Sequence, residues 1–288
     1  MDIGIGLPAM IPGVDRKALL GWASRAEERG FASAATLDRL VYPNYEPLVA
    51  LAAAAAVTER IRLMTDVLLV PQRNNPVLLA KQAATLDSIS GGRLTLGVAV
   101  GRRDDDFAAS GVPLEGRGPS FDEALAVMRR VWAGEALDGA GPVGPPTPSD
   151  GGPELLVGGG VDATVRRVAE YGDGWTQGGN TPENLAEMRE RVLDAWAQAD
   201  RDGTPRIVAL CYFALGEDAR EKADEDLLHY YAWLGDDVAR MIAQSAVVDA
   251  EMARQYRDAF EQAGADELVY FPTDTDTGQV DLLADAVL

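Results

Sequence analysis

The 288 residues contain only one cysteine and one histidine, and these two scarcities narrow the chemistry available. Cys211 has no partner for an internal disulfide, which fits a reducing cytoplasm. It lies in the apolar run 207–213 and reads as a small buried side chain. A zinc site built from His and Cys finds almost no ligands. A Ser-His-Asp triad would have to use His229, and no Gly-x-Ser-x-Gly elbow is present to hold the serine. His229 also lies far from any glycine-rich turn and reads as structural.

Positive charge is scarce too: 26 Lys and Arg stand against 46 Asp and Glu, a formal charge of −20. Nucleic acid and anionic membranes both select basic surfaces, so neither is expected as a partner. No apolar run approaches the roughly 18–20 residues that span a bilayer. The opening Met1-Asp2-Ile3-Gly4-Ile5-Gly6 has no basic n-region and reads directly as a strand, so a cytoplasmic protein is expected. No Gly-x-Gly-x-x-Gly fingerprint follows that strand, which disfavours a Rossmann nicotinamide site. Three acidic neighbours, Asp104-Asp105-Asp106, lack EF-hand spacing. They read as solvated charges balancing Arg102 and Arg103, with one facing a ligand, and no metal site is expected.

Strand-like and helical segments alternate along most of the chain, the pattern of a parallel α/β fold. Strands are expected over residues 3–7, 31–37, 61–70, 94–100, 154–157, 174–177, 207–215 and 268–271. Helices are expected over 15–29, 46–58, 76–88, 121–132 and 161–171, from Thr181 onward, and over 280–288. Gly30 closes the first, and Pro47 and Pro182 sit in first turns. Eight strands predict a (β/α)8 TIM barrel, with a doubly wound sheet as the alternative. One domain over residues 1–288 is expected, with insertions after strand 4 (the Gly/Pro-rich stretch 139–153) and after strand 7 (a helical stretch, 217–260, longer than one crossover needs and holding an extra helix or two that pack over a pocket or a partner subunit).

Ligands of α/β barrels bind at the carboxyl ends of the strands, so residues there are the functional candidates. Gly158-Gly159-Gly160 precedes a helix, where bare amides and the helix dipole can hold a phosphate. Trp175 and Gln177 end the next strand beside it. Gly101-Arg102-Arg103 follows strand 4, where glycine permits close approach and the arginines supply charge. Asp38-Arg39 ends strand 2.

Several segments resemble the bacterial luciferase-like flavin and deazaflavin oxidoreductases, in order and spacing. They are Ala26-Glu27-Glu28-Arg29-Gly30-Phe31, Ile61-Arg62-Leu63-Met64-Thr65, the stretch Ala80 to Arg93 with its Thr85-Leu86-Asp87-Ser88-Ile89-Ser90-Gly91-Gly92, and Tyr171-Gly172-Asp173-Gly174-Trp175. The likeness covers residues 1–181 well and the remainder loosely, and is greatest to the actinobacterial branch that uses coenzyme F420. It implies an F420-dependent oxidoreductase moving hydride to or from a small organic substrate. An FMN-dependent monooxygenase and a non-catalytic flavin-binding barrel are the alternatives. It also implies a homodimer, and a bulge at Asp66-Val67 whose non-prolyl cis peptide backs the cofactor ring. Members of the branch often carry Asp-His where this chain has Asp38-Arg39. Imidazole chemistry is therefore absent there. Arg39 can instead hold a substrate anion or stabilise charge on the reduced ring, or make an ordinary salt bridge between loops.

Overall fold

The computed structural model describes residues 1–137 and 139–288. Its first half alternates as the sequence pattern predicts: β1 (Asp2–Gly6), α1 (Arg16–Arg29), β2 (Ser33–Thr36), α2 (Pro47–Ala55), β3 (Arg62–Leu69), α3 (Pro76–Ser90) and β4 (Leu94–Ala99). Two helices, α4 (Asp104–Ser110) and α5 (Arg117–Trp132), precede β5 (Glu154–Gly158), α6 (Asp162–Tyr171), β6 (Gly174–Gln177), α7 (Pro182–Gln198) and β7 (Arg206–Phe213). Three more, α8 (Ala219–Tyr230), α9 (Asp236–Gln244) and α10 (Ala250–Gln262), lead to β8 (Glu267–Pro272) and α11 (Gly278–Val287). The eight strands pair in parallel and close β1 through β8 into a TIM barrel. No helix among the described residues is long and apolar enough to cross a membrane.

Local chemistry sets the helix ends. Asp15 accepts from the Ala18 amide at 2.8 Å and Asn75 from Leu78 at 2.9 Å, each taking up a donor the first turn leaves free. Proline opens α2, α3 and α7, where its missing N–H costs nothing. Gly30 stops α1 at φ +88°, a left-handed cap that suits glycine.

Alternate strand residues face outward to the helices or inward to the lumen. The amino end of the lumen is closed by ions. Buried Glu267 accepts from Ser33 Oγ, Arg62 and Arg206, while Glu154 accepts from Arg206 and, at 2.7 Å, from Thr95 Oγ1. Ala35, Met64, Leu156, Val208 and Val269 fill the middle, and Leu210, Tyr212 and Phe271 the carboxyl end. That same cluster continues into Ala223, Leu227 and Ala243. The insertion after β7 thus roofs the carboxyl mouth. It holds more than one helix, as the length of 217–260 suggests, with a 3-10 turn (Ala232–Leu234) and the segment 245–249, where Val247 bridges to Phe213, between them.

Candidate functional site

The most irregular strand marks the floor of the mouth. The Asp66–Val67 peptide is cis, and the β3–β4 register shifts between Thr65 and Leu68. Both features were expected from the family resemblance. Gly97 is required opposite, since a Cβ there would stand 2.2 Å from the Thr65 carbonyl oxygen. The bulge turns Asp66 into the lumen, where it is 3% exposed. Its Oδ1 accepts from Thr176 Oγ1 at 2.6 Å, and Oδ2 has no partner. Burial pushes the Asp66 carboxyl up to about 7, against the opposing pull of the Thr176 bond and with a push from the Glu267 charge.

The glycine triplet lies beside this bulge. A Cβ on Gly158 would be 2.9 Å from the Val67 side chain, and one on Gly159, at φ +129°, 2.6 Å from Thr164 Oγ1. A Cβ on Gly160 would meet nothing within 4 Å. The following helix α6 has no side-chain cap, so its first amides remain free for an anion. Trp175 donates from Nε1 to the Gly159 carbonyl at 2.7 Å, while its ring packs into the outer core. It shapes the glycine loop from behind. Gln177 donates to the Thr181 carbonyl at 3.2 Å and keeps a buried Oε1 without a donor.

On the other side of the mouth the loops after β2 and β4 meet the roof. Asp38 faces the β3 end: it accepts from the Leu69 amide at 2.9 Å and from Arg73 at 2.7 Å. Burial raises its carboxyl above the ordinary value, with Arg73 pulling the other way. Arg39 is enclosed, its side chain 5% exposed. It donates to the Val41 carbonyl at 2.9 Å and lies 3.5 Å from Asp106 Oδ2. Its guanidinium sits 4.8 Å from the Tyr42 ring centre and 5.2 Å from that of Tyr230. Arg102 and Arg103 lie over Trp233, at 4.9 and 4.5 Å. Gly101 turns the chain at φ +73°, and a Cβ there would meet the Gln72 amide at 3.1 Å.

Of the acidic triplet, Asp104 and Asp105 are exposed and Asp105 pairs with Arg103, as the sequence reading has it, while Asp106 corrects that reading. Asp104–Asp106 begin a helix, α4, and Asp106 is fully buried. It accepts from the amides of Leu40 and Val41, at 3.2 and 2.6 Å. This carboxylate ties the β2 loop to the β4 loop between two arginines, a placement that local sequence does not encode.

The roof supplies residues that sequence reasoning missed: Tyr230, Tyr231 and Trp233, with Asp226 one turn earlier. Their signal was density, three large aromatics within four residues of a chain only 7% aromatic. His229 shares a 2.9 Å hydrogen bond with the Tyr42 hydroxyl. Tyr212 and Tyr231 join hydroxyl to hydroxyl at 2.5 Å.

Gln72 Nε2, Gln177 Oε1, Asp66 Oδ2 and the Nη1 atoms of Arg39 and Arg103 are all buried without a hydrogen-bond partner. Buried polar groups are rarely left so. Together with an uncapped helix and an open glycine, this donor and acceptor set fits a polar, anionic organic ligand spread across the mouth.

The chain matches the luciferase-like monooxygenase family over residues 1–278. It is 40% identical over 175 residues to an uncharacterized protein of Mycobacterium tuberculosis, covering 57% of this chain and 61% of that one, less than two thirds of the relative's length. It is 28% identical over 235 residues to an F420-dependent glucose-6-phosphate dehydrogenase of Nocardia farcinica, covering 73% and 68%. An F420-dependent secondary alcohol dehydrogenase solved with an F420–acetone adduct superposes with a TM-score of 0.82, at 20% identity over 99% of this chain and 98% of that one. At that identity the likeness speaks for the fold.

Proposed function

Because the chain belongs to the luciferase-like monooxygenase family, we propose that it is an oxidoreductase that moves hydride between coenzyme F420 and a small organic substrate. The Nocardia farcinica dehydrogenase, named for that coenzyme, carries the choice of cofactor. When bound, a deazaflavin supplies hydride chemistry at the carbon that replaces flavin N5.

The chain's own part is binding and orientation. The free amides at the start of α6, reached past Gly158, Gly159 and Gly160, hold the phosphate with the helix dipole behind them. Trp175 keeps that loop in place through the Gly159 carbonyl. The Asp66–Val67 bulge backs the ring, and Gln177 meets polar atoms of the cofactor with its free Oε1. Gly101 lets the backbone approach closely, and Arg102 and Arg103 supply positive charge on an acidic protein. Arg39 directs its unpartnered Nη1 toward negative charge in the mouth. Asp38 acts as a positioning residue, holding the β3 end beside the bulge through Leu69 and Arg73. In the same reading residues 1–288 form one domain that works in the cytoplasm as a homodimer and takes no nucleic acid.

Titrating the apoprotein with coenzyme F420 and with FMN tests this. Gly160 has open space around it, so Gly160→Asp adds charge against the phosphate without a backbone clash. We expect at least about tenfold weaker F420 binding, roughly 1.4 kcal/mol. Equal affinity for variant and wild type removes the loop from the site. Tighter binding of FMN than of F420 favours the monooxygenase alternative.

A further inference from the structure

The roof leaves a second opening on the β6–β7 side. Between the loop after β6, the end of β7, α9 and α10 lies a cavity of about 490 Å³, within the range of roughly 300–1,000 Å³ usual for small-molecule sites. Leu210, Tyr212, Tyr231, Ile242 and Tyr256 line it, and Met241, 63% exposed, stands at its lip.

Its charge pattern is one-sided. None of its lining residues is Lys, Arg or His, and its one carboxylate is Glu183. A backbone amide at the start of α7 and the Thr181 side chain hold Glu183 below the ordinary carboxylate range, so it stays ionised. Cys211 contributes a thiol that burial pushes up, hence neutral. An anion entering here would lose hydration, meet no cation and face Glu183. The phosphate of a sugar phosphate, the substrate in the relative's name, finds nothing to hold it.

Asn180, Thr181, Ser245 and Gln255 also line the cavity but are exposed; its more enclosed wall carries one hydroxyl pair. The Tyr212 and Tyr231 hydroxyls are bonded to each other at 2.5 Å. Two hydroxyls carry two hydrogens, and only one is used between them. The other has no acceptor among the described residues. Burial raises both phenols, so each remains a hydroxyl and a donor at neutral pH. A hydrogen-bond donor in an apolar cavity selects a ligand with one acceptor oxygen, because leaving the donor unpaired is costly.

We propose that this cavity binds the organic substrate, and that the substrate is a neutral, mainly apolar carbonyl compound or the corresponding alcohol, its oxygen held by the Tyr212–Tyr231 hydroxyl pair. The assignment as substrate rests on the deazaflavin reading above. The ligand class rests on the cavity alone.

The test uses two probes of one shape, the neutral ketone 2-acetylnaphthalene and the anion 2-naphthoate, titrated by calorimetry into the full chain. The ketone should bind at least about tenfold more tightly. The double variant Tyr212→Phe/Tyr231→Phe should weaken the ketone about tenfold and change naphthalene, which has no oxygen, less than about twofold. Naphthalene therefore reports whether the cavity survives the substitution. Met241→Arg, at the exposed lip, should narrow or reverse the preference for the ketone. Equal affinities for ketone and anion in the wild type, or ketone binding indifferent to both variants, would overturn the proposal. Displacement of the ketone by coenzyme F420 would overturn it too, since the cavity would then belong to the coenzyme. Failure of F420 to bind, with the ketone pattern intact, would retire the coenzyme and leave the ligand class standing.

Discussion

Arg39 joins three parts of the mouth, and its removal has a size that can be worked out. The guanidinium lies 4.8 and 5.2 Å from the Tyr42 and Tyr230 ring centres and 3.5 Å from buried Asp106. Each cation–π contact at a desolvated site is worth about 1–2 kcal/mol. Stripping a buried carboxylate of its only cation costs about 3–5 kcal/mol. Asp106 would keep Arg103 at 3.6 Å and the two loop amides, which reduces this part to about 1–2 kcal/mol. Arg39→Ala should therefore destabilise by about 3–6 kcal/mol, lowering Tm by roughly 5–10 °C for a chain of this size. Amide exchange across residues 226–234 should rise with it, because Tyr230 loses its anchor. Arg39→Lys should recover less than half, since an ammonium lacks the planar face that stacks on two rings. If Arg39 also meets negative charge during turnover, kcat/KM of the folded alanine variant should fall at least about tenfold, roughly 1.4 kcal/mol. A Tm within about 2 °C of wild type and unchanged exchange over the roof would refute the packing argument. An unchanged kcat/KM would take Arg39 out of the reaction.

Asp66 predicts a pH dependence. Its folded-state value, about 7, lies above the ordinary 3.8. The unfolded chain therefore releases the proton first, and this group's contribution to stability falls as pH rises from about 4 to about 7, then levels. The shift of about 3 units corresponds to at most about 4 kcal/mol. Asp66→Asn keeps an acceptor for Thr176 and removes that loss, so the variant should gain on wild type between pH 4 and pH 8 in urea unfolding; parallel pH profiles would show that the carboxyl does not titrate there. At the other end of the lumen, Glu267→Ala leaves Arg62 and Arg206 short of a buried partner. It should cost about 3–5 kcal/mol, while Glu267→Gln, which preserves shape and acceptors, costs less. An unchanged urea midpoint for the alanine variant would mean the ionic floor does not hold the barrel closed.

How much of this was legible beforehand depends on the range of the interactions involved. Strand and helix periodicity, the first-turn prolines Pro47 and Pro182 and the closing Gly30 act within a few residues, and the alternating elements were readable from them. The bulge at Asp66–Val67 was readable because the wording around it matches a family, not because composition demands it. Helix α4 was missed, since seven residues beginning with three aspartates look like solvated charge when their neighbours are unknown. Asp106 became a buried tie only when barrel closure brought Leu40 and Val41 to it, 66 and 65 residues away in the chain. Arg39 is enclosed because the insertion after β7 folds back over the β2 loop, setting Tyr230 against Tyr42. The Tyr212–Tyr231 pair likewise exists only where a strand end meets the roof. By itself, then, the sequence determined the strand and crossover-helix alternation, the barrel and the family, all carried by short-range pattern and wording. The partners of its charged and aromatic side chains at the mouth were decided by tertiary structure, because long-range chain closure sets which loops meet and therefore which groups lose water.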